Sequence, residues 1–350
     1  LKNNPLIEAF VSKILVDENK KAYGVEVTIN GTKIQVFVSK EVILAAGAVN
    51  SPHLLLLSGI GPKYELESKN VSCVVDLPAV GRNLQDHLRI IVPIYGDRSQ
   101  YDSRNERKCA PEKYCRNRTG YLAQGSLEDI SAFYSVQSNL NYPEIQNLAL
   151  IMYENGTAFT DSLGFKEEVS ESLFKFIPNK TLYLFYVILL HPNSRGTIKL
   201  KSGSADEPPI INPNYFGSNR DLILTTRGIM KLTEILNTKF FKSIKAYIPR
   251  IKLADCDHLK FNTYRYWKCY ARNMVTSIFR PAGACKMGKS AKNSVVNNYF
   301  QVHQITGLRI IDESVMPTHV SGNYNGPILA IGEFGADMIK EYYKAKVNKY

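Results

Sequence analysis

The chain has 350 residues, of which 44% are hydrophobic and 22% charged, and its formal net charge is +12. This composition is typical of a globular protein with one large or two medium-sized domains. No apolar run reaches the ~20 residues that cross a bilayer, and the basic residues form no dense cluster, so the sequence predicts neither a membrane span nor nucleic-acid binding.

The first 61 residues predict a layer of strands, then a buried strand and a helix. Three strand-like runs follow one another, namely LIEAFVSKIL, AYGVEVTI and TKIQVFVS. Asn30-Gly31-Thr32 predicts a hairpin turn between the second and the third. EVILAAG (41–47) predicts a buried strand. In the helix that follows, Ser51 is predicted as the cap, Pro52 as the first residue and Gly59 as the stop. Strand, glycine turn and helix are typical of a nucleotide-binding α/β layer.

The middle of the chain predicts a second, mixed domain. Charged loops (96–120) alternate with strand-like runs near 130–136, 147–153, 182–191 and 196–201. The segment 222–241 predicts one amphipathic helix.

The α/β pattern returns after residue 290. GLRIIDESVMP predicts a strand that ends at Asp312, and a polar loop leads to a helix at Pro327. We therefore predict domains over 1–89, 90–290 and 291–350, with a fold that combines α/β and α+β parts.

The cysteines and glycosylation sequons favour a secreted, extracellular protein. None of the six cysteines forms a CxxC pair, which argues against a zinc site. Cys109 with Cys115 and Cys256 with Cys269 are candidate disulfides. Five Asn-x-Ser/Thr sequons lie at Asn30, Asn70, Asn117, Asn155 and Asn179. Because the sequence starts at Leu1 without a methionine or a signal peptide, we expect a processed product or a fragment of a longer protein.

Three segments resemble the glucose–methanol–choline (GMC) flavin oxidoreductases. They are GAVNSPHLLLLSGIG (47–61), AVGRNLQDHL (79–88) and the closing block GLRIIDESVMPTHVSGNYNGPILAIGEFGADMI. HPNSRGTIKLKS and YWKC (266–269) resemble the insect branch, near the glucose dehydrogenases. The resemblance implies a Rossmann-like FAD-binding domain and a mixed substrate-binding domain with an antiparallel sheet. It also implies hydride transfer from an alcohol or sugar to FAD, with oxygen or a quinone as electron acceptor.

The resemblance also implies which residues form the flavin site. Asp312, Glu313 and Asn325 correspond to flavin-contacting positions, and Val11 corresponds to the backbone position that meets the adenine. Unpaired N–H groups at the start of the closing helix favour negative charge on a reduced flavin. Glu313 departs from the family, which has Gly or Ala there, and a carboxylate would repel that charge.

The catalytic positions differ from the family pattern. Relatives read HPVGTCKMG where this chain has RPAGACKMG (280–288), so Arg280 stands in place of the histidine base. An arginine cannot take a proton, and losing a base costs about 10²–10⁴ in rate. The second catalytic position is Asn323, which can hydrogen-bond a substrate hydroxyl. His319 is a candidate replacement base, but we interpret it as a loop histidine on the outside.

Three alternatives remain open. The 350 residues contain no GxGxxG unit after a strand, so the chain is expected to hold the substrate domain and part of the flavin domain. It is therefore either the C-terminal part of an active flavoprotein, a redox-inactive relative that binds a ligand, or a degenerate product without function. Loops 96–125 and 154–180 are expected to shape the substrate pocket. Cys285 is interpreted as a small buried residue, and His87 and His191 as structural.

Overall fold

The structure is a computed structural model that describes residues 5–98, 110–123, 130–137, 140–152, 164–176 and 179–347. It divides into two compact units. The first unit consists of three segments: the chain up to Asp86, Ser194–Gly217, and the chain from Phe279 onwards. The second comprises His87–Asn193 and Ser218–Ile278. The domains expected over 1–89, 90–290 and 291–350 stay a prediction, and the units differ from them because 194–217 and 279–290 pack within the first unit.

The strands of the first unit form small sheets. Its strands are β1 Ala9–Val16, β2 Ala22–Ile29, β3 Thr32–Phe37, β4 Val42–Leu44, β5 Ile60–Gly61, β6 Val75–Asp76, β7 Arg82–Leu84, β12 Gly196–Lys199, β13 Ile210–Asn212 and β15 Leu308–Ile310. β1, β2 and β3 form an antiparallel meander, as predicted, and Asn30 and Gly31 have positive φ at its tip. β12 pairs with β7 and β13, and β5 with β6. β4 and β15 pair in parallel, which is the α/β part of the fold.

The described residues of the first unit form three helices: α1 Gly47–Leu57, α2 Lys63–Glu67 and α8 Asn325–Val347. α1 buries all four of its leucines (54–57) in a core cluster that also includes residues of β4 and β15. A fully buried leucine stabilises a fold by ~1.5–3 kcal/mol, so α1 is a main contributor to this core.

The predicted start of α1 is wrong. The helix begins at Gly47, so Ser51 and Pro52 lie inside it and Ser51 is not its cap. The N-cap residue is Ala46, which has no side-chain acceptor, and its own N–H donates to Oγ of Ser51 at 3.1 Å. Carboxylates distant in the sequence bind the first N–H groups of the helix. The predicted stop is confirmed, since α1 ends before Gly59, which has φ +79°.

The second unit is built on a five-stranded antiparallel sheet. Its strands are β8 Leu88–Gly96, β9 Ile130–Tyr134, β10 Ile145–Met152, β11 Thr181–Leu189 and β14 Val275–Ser277, in the order β14-β8-β11-β10-β9. This sheet confirms the α+β part of the prediction. Its helices are α3 Ala110–Asn117, α4 Glu167–Phe174, α5 Asn219–Thr233, α6 Lys239–Ser243 and α7 Tyr264–Met274.

The helix predicted over 222–241 is two helices. α5 ends at Thr233, a short 3₁₀ turn follows, and Thr238 takes an extended conformation before α6. Leu222, Leu224 and Ile229 are buried on one face of α5, as the periodicity indicated. A disulfide joins Cys256 to Cys269, which confirms one of the two candidate pairs. The other candidate includes Cys109, which lies outside the described residues, as do Asn155 and most of the two loops expected to shape the pocket.

Candidate functional site

Backbone hydrogen bonds hold the turn that contains Arg280 from two sides. Ala282 exchanges both backbone bonds with Gln85, at 2.8 and 2.9 Å. On the other side, three N–H groups of the turn donate to consecutive carbonyls, namely Gly283 to Glu313, Cys285 to Ser314 and Met287 to Val315. The turn is therefore fixed between the segment after β7 and the segment after β15.

Gly283 makes this close approach possible. Its φ is +82°, and a Cβ would lie 2.5 Å from Nε2 of Gln85 and 2.9 Å from the carbonyl oxygen of Asn83. A side chain at this position would therefore meet both strain and overlap. The first glycine of the motif thus has a structural role.

Arg280 joins the two predicted catalytic positions. Its Nη2 donates to Oδ1 of Asn323 at 2.6 Å, although 43 residues separate the two in sequence. Its backbone N–H donates to Oδ1 of Asp86 at 3.2 Å, and the hydroxyl of Tyr215 donates to the other oxygen of Asp86. The half-buried arginine is thus oriented at both its backbone and its guanidinium.

This pair has the chemistry of charge stabilisation. The guanidinium has only donors and remains protonated. The amide of Asn323 receives one of these donors on its oxygen and offers its own N–H groups as donors. Such donors stabilise negative charge that develops on an oxygen, but they cannot remove a proton.

Asp312 and Glu313 hold the start of α1. Oδ2 of Asp312 accepts the backbone N–H of Gly47 at 3.0 Å and the hydroxyl of Ser51 at 2.5 Å. Oε1 of Glu313 accepts the backbone N–H of Ala48 at 2.8 Å. Carboxylates at a helix N-terminus are stabilised by the unpaired N–H groups and by the helix dipole. Glu313 therefore has a partner within the fold, the partly positive N-terminus of α1, which the sequence had not indicated.

The other oxygen of Asp312 is also engaged. It accepts the backbone N–H of Ser314 at 2.9 Å and the hydroxyl of the same serine. With 6% of its surface exposed, Asp312 acts here as a buried structural carboxylate.

Val11 lies elsewhere in the first unit. It is half-buried on β1, opposite Val27 of β2. It lines a cavity of about 230 Å³ together with Ala46, Asn50 and His53. Burial lowers the pKa of His53 below its ordinary value.

The start of α8 is open. Asn323, Asn325 and Gly326 are exposed, and a Cβ at Gly326 would meet no heavy atom within 4 Å. The first N–H groups of a helix lack partners within the helix and carry partial positive charge. α8 begins two residues after Asn323, so its N-terminal donors and the amide of Asn323 belong to one segment.

His319 is not an exposed loop histidine, and that interpretation is wrong. Only 8% of its surface is exposed, and its Nδ1 forms a hydrogen bond with the hydroxyl of Tyr324. Burial raises the pKa of Tyr324 well above the ordinary value, and the negative charge of Asp86 adds to this while Arg280 opposes it. Sequence reasoning missed Tyr324, and its position between Asn323 and Asn325 was the available signal.

The remaining candidates have structural roles. Cys285 is fully buried, and burial raises the pKa of its thiol well above the ordinary value, so the thiol is unreactive. His87 is also fully buried, and its Nε2 lies 3.0 Å from the carbonyl oxygen of Leu190. Among the described residues, no helix is both long enough and apolar enough to cross a membrane.

Comparisons with known proteins agree on one family. Two family models described as GMC oxidoreductase match residues 2–89 and 192–332. The chain is 34% identical over 349 residues to a glucose dehydrogenase [FAD, quinone] of Drosophila melanogaster, covering 98% of this chain and 54% of that protein. It is 33% identical over 345 residues to an ecdysone oxidase of Bombyx mori, covering 97% of this chain and 50% of that protein. The chain thus spans about half the length of these curated relatives.

Solved structures show the same fold. A formate oxidase of Aspergillus oryzae superposes with a TM-score of 0.81 at 24% identity, over 97% of this chain and 61% of that chain. A fungal aryl-alcohol oxidase superposes with a TM-score of 0.73 at 21% identity, over 96% of this chain and 61% of that chain. At these identities the likeness concerns the fold.

Proposed function

Because the chain belongs to the GMC oxidoreductase family, we propose that it forms the substrate-handling part and a portion of the flavin site of an FAD-dependent oxidoreductase. The reaction is hydride removal from a carbon that bears a hydroxyl group. The substrate is a small alcohol or sugar, and the electron acceptor is a quinone or oxygen. The names of the relatives, a glucose dehydrogenase [FAD, quinone] and an ecdysone oxidase, support this class of reaction.

The residues fit FAD at the start of α8. The exposed first turn, with open space beside Gly326, offers backbone N–H donors and positive partial charge. That donor chemistry suits a group that becomes negative on reduction. Asn325 would contact the flavin, the backbone at Val11 the adenine, and Asp312 and Glu313 would hold α1 in place beside it. When bound, FAD supplies the hydride acceptor.

The contact between Arg280 and Asn323 carries the proposal for the chemistry. The amide N–H groups of Asn323 would orient the substrate oxygen, and the guanidinium of Arg280 would stabilise the charge on that oxygen as its proton passes to solvent water. Arg280 cannot accept the proton. The pair therefore supplies orientation and charge stabilisation without a base.

A second candidate is a redox-inactive relative that keeps the fold and binds a ligand. The observation that favours it is Arg280 itself, which replaces the family's base and is held by Asn323. A missing base costs about 10²–10⁴ in rate, enough to leave binding as the main activity.

The deciding experiment uses the complete gene product that contains this chain. Its visible flavin spectrum is recorded, and a panel of alcohols and sugars is added without oxygen. Bleaching of the flavin by any member supports the oxidoreductase. A bound flavin that no member bleaches, together with saturable binding of one member, supports the second candidate. A product that binds no flavin contradicts the first proposal.

A further inference from the structure

The outer face of the meander β1–β2–β3 forms one wall of a polar pocket of about 370 Å³. Phe10 and Ser12 of β1, Glu26 of β2 and Lys33 of β3 line this wall. The opposite wall includes Asn70 and Ser72, in the segment after α2. This pocket adjoins the one assigned above to the adenine, because Phe10, Leu57 and Ala205 line both. Val11 lines only the second of them.

Asn70 combines a modification sequence with an accessible position. Asn70-Val71-Ser72 is an acceptor sequence for N-linked glycans. Asn70 is exposed and has φ +57°, so it ends the turn after α2 on the surface. A second sequon, Asn30-Gly31-Thr32, lies at the exposed tip between β2 and β3. Lys33 follows that tip directly and lines the pocket, but no residue of this second sequon does.

The pocket has the groups that a sugar would contact. The hydroxyl of Ser12 donates to Oε1 of Glu26 at 2.6 Å, and Nζ of Lys33 lies 3.6 Å from the same oxygen. Hydroxyl, carboxylate and ammonium groups together supply both acceptors and donors for sugar hydroxyls. Phe10 is 52% exposed, and its electron-rich ring face can pack against sugar C–H groups.

We propose that Asn70 carries an N-linked glycan whose first N-acetylglucosamine units lie in this pocket against Phe10. The amide nitrogen of Asn70 forms a bond to C1 of the sugar and loses one proton. The bond between C1 and the phosphate oxygen of a lipid-linked oligosaccharide diphosphate breaks, and the lipid diphosphate leaves. The disulfide between Cys256 and Cys269 agrees with passage through the oxidising compartment where this transfer occurs.

The test is mass spectrometry of the complete gene product, secreted by cultured mammalian cells. Peptide N-glycanase in heavy-oxygen water converts each glycosylated asparagine into a labelled aspartate. We expect the label at Asn70 in the parent, and its loss in Ser72→Ala, which leaves Asn70 itself in place. Ser68→Ala, an exposed serine of the same turn outside the sequon, is the matched control and retains the label. An unlabelled Asn70 in the secreted parent overturns the proposal.

The position of the glycan is tested by its rate of release. Release of the glycan from Asn70 is expected to be about tenfold slower in the native protein than in the denatured protein. A contact that stabilises the bound glycan by ~1.4 kcal/mol gives this factor. Asn30 provides an internal reference, because nothing lies within 4 Å of a Cβ at Gly31 beside it. Phe10→Ala should remove the protection at Asn70. Equal native rates at Asn70 in the parent and in Phe10→Ala would show that the glycan does not occupy the pocket.

Discussion

Nη2 of Arg280 donates to Oδ1 of Asn323 at 2.6 Å, which brings the two catalytic positions of the family into direct contact. The contact orients both side chains. It also fixes a permanent cation where the family has a group that can accept a proton. Under the proposed function, the chemistry at an alcohol would therefore depend on this one side chain.

Arg280→His is expected to raise kcat/KM for alcohol oxidation by the complete gene product by about 10²–10⁴, because it restores a base whose pKa lies near neutral pH. The measurement is steady-state kinetics with an artificial electron acceptor. Arg280→Lys is the control, since it keeps a positive charge. A parent that is already as active as the histidine variant would contradict this prediction.

Glu313→Ala is expected to lower the free energy of unfolding by about 0.5–2 kcal/mol, the range measured for the loss of a helix cap. The cause is the loss of the carboxylate that accepts the N–H of Ala48. Urea denaturation measures the change. The control is Glu67→Ala, whose exposed pair with Lys63 at 3.8 Å is worth about 0.3–0.5 kcal/mol. An effect of Glu313→Ala no larger than that of the control would count against the capping role.

Gly283→Ala is expected to destabilise the protein by about 1–3 kcal/mol, because the residue has φ +82° and its Cβ would overlap Gln85. It should also lower the affinity of any ligand that Arg280 contacts. Gly332→Ala in α8 is the control, since a Cβ there meets nothing within 4 Å and should stabilise the helix by ~0.5–1 kcal/mol. Thermal unfolding of both variants distinguishes them by the direction of the shift.

His53 predicts a loss of stability in acid. Its pKa in the folded protein is lowered by burial, so below its unfolded value of about 6.5 the unfolded chain binds more protons than the folded one. Stability therefore falls as the pH decreases through that value. His53→Gln should reduce the difference between urea midpoints at about pH 7.5 and about pH 5.5. The exposed His258→Gln is the control, and an unchanged pH dependence in His53→Gln would refute the assignment.

The sequence predicted those parts of the fold in which local pattern and tertiary structure agree. The meander β1–β3 follows from alternation and from the Asn30-Gly31 turn. The predicted buried strand forms as β4, but it is buried on one face only, since Ile43 is 48% exposed. β8 was not predicted, because Pro93 argues against a strand with two neighbours. In the described part of the chain, β14 pairs only with Leu88–Ile90, so Pro93 has a partner strand on one side.

The candidate site was predictable in part. The resemblance indicated Arg280 and Asn323, and the structure brings them together. It could not indicate that Glu313 binds the N-terminus of α1, because that contact joins segments 265 residues apart. The burial of His319 was also missed, although its partner Tyr324 lies between Asn323 and Asn325, which the resemblance had indicated.

The distance in sequence between α1 and its anchor has a consequence for synthesis on the ribosome. Gly47 emerges 265 residues before Asp312, which binds its N–H group. At ~5–20 residues per second, this leaves roughly 13–50 s in which α1 and β4 exist without β15 or the two carboxylates. The four leucines of α1 have no completed core to enter during that interval. A nascent chain of this kind is a natural client for chaperones that hold exposed apolar segments until the last strand arrives.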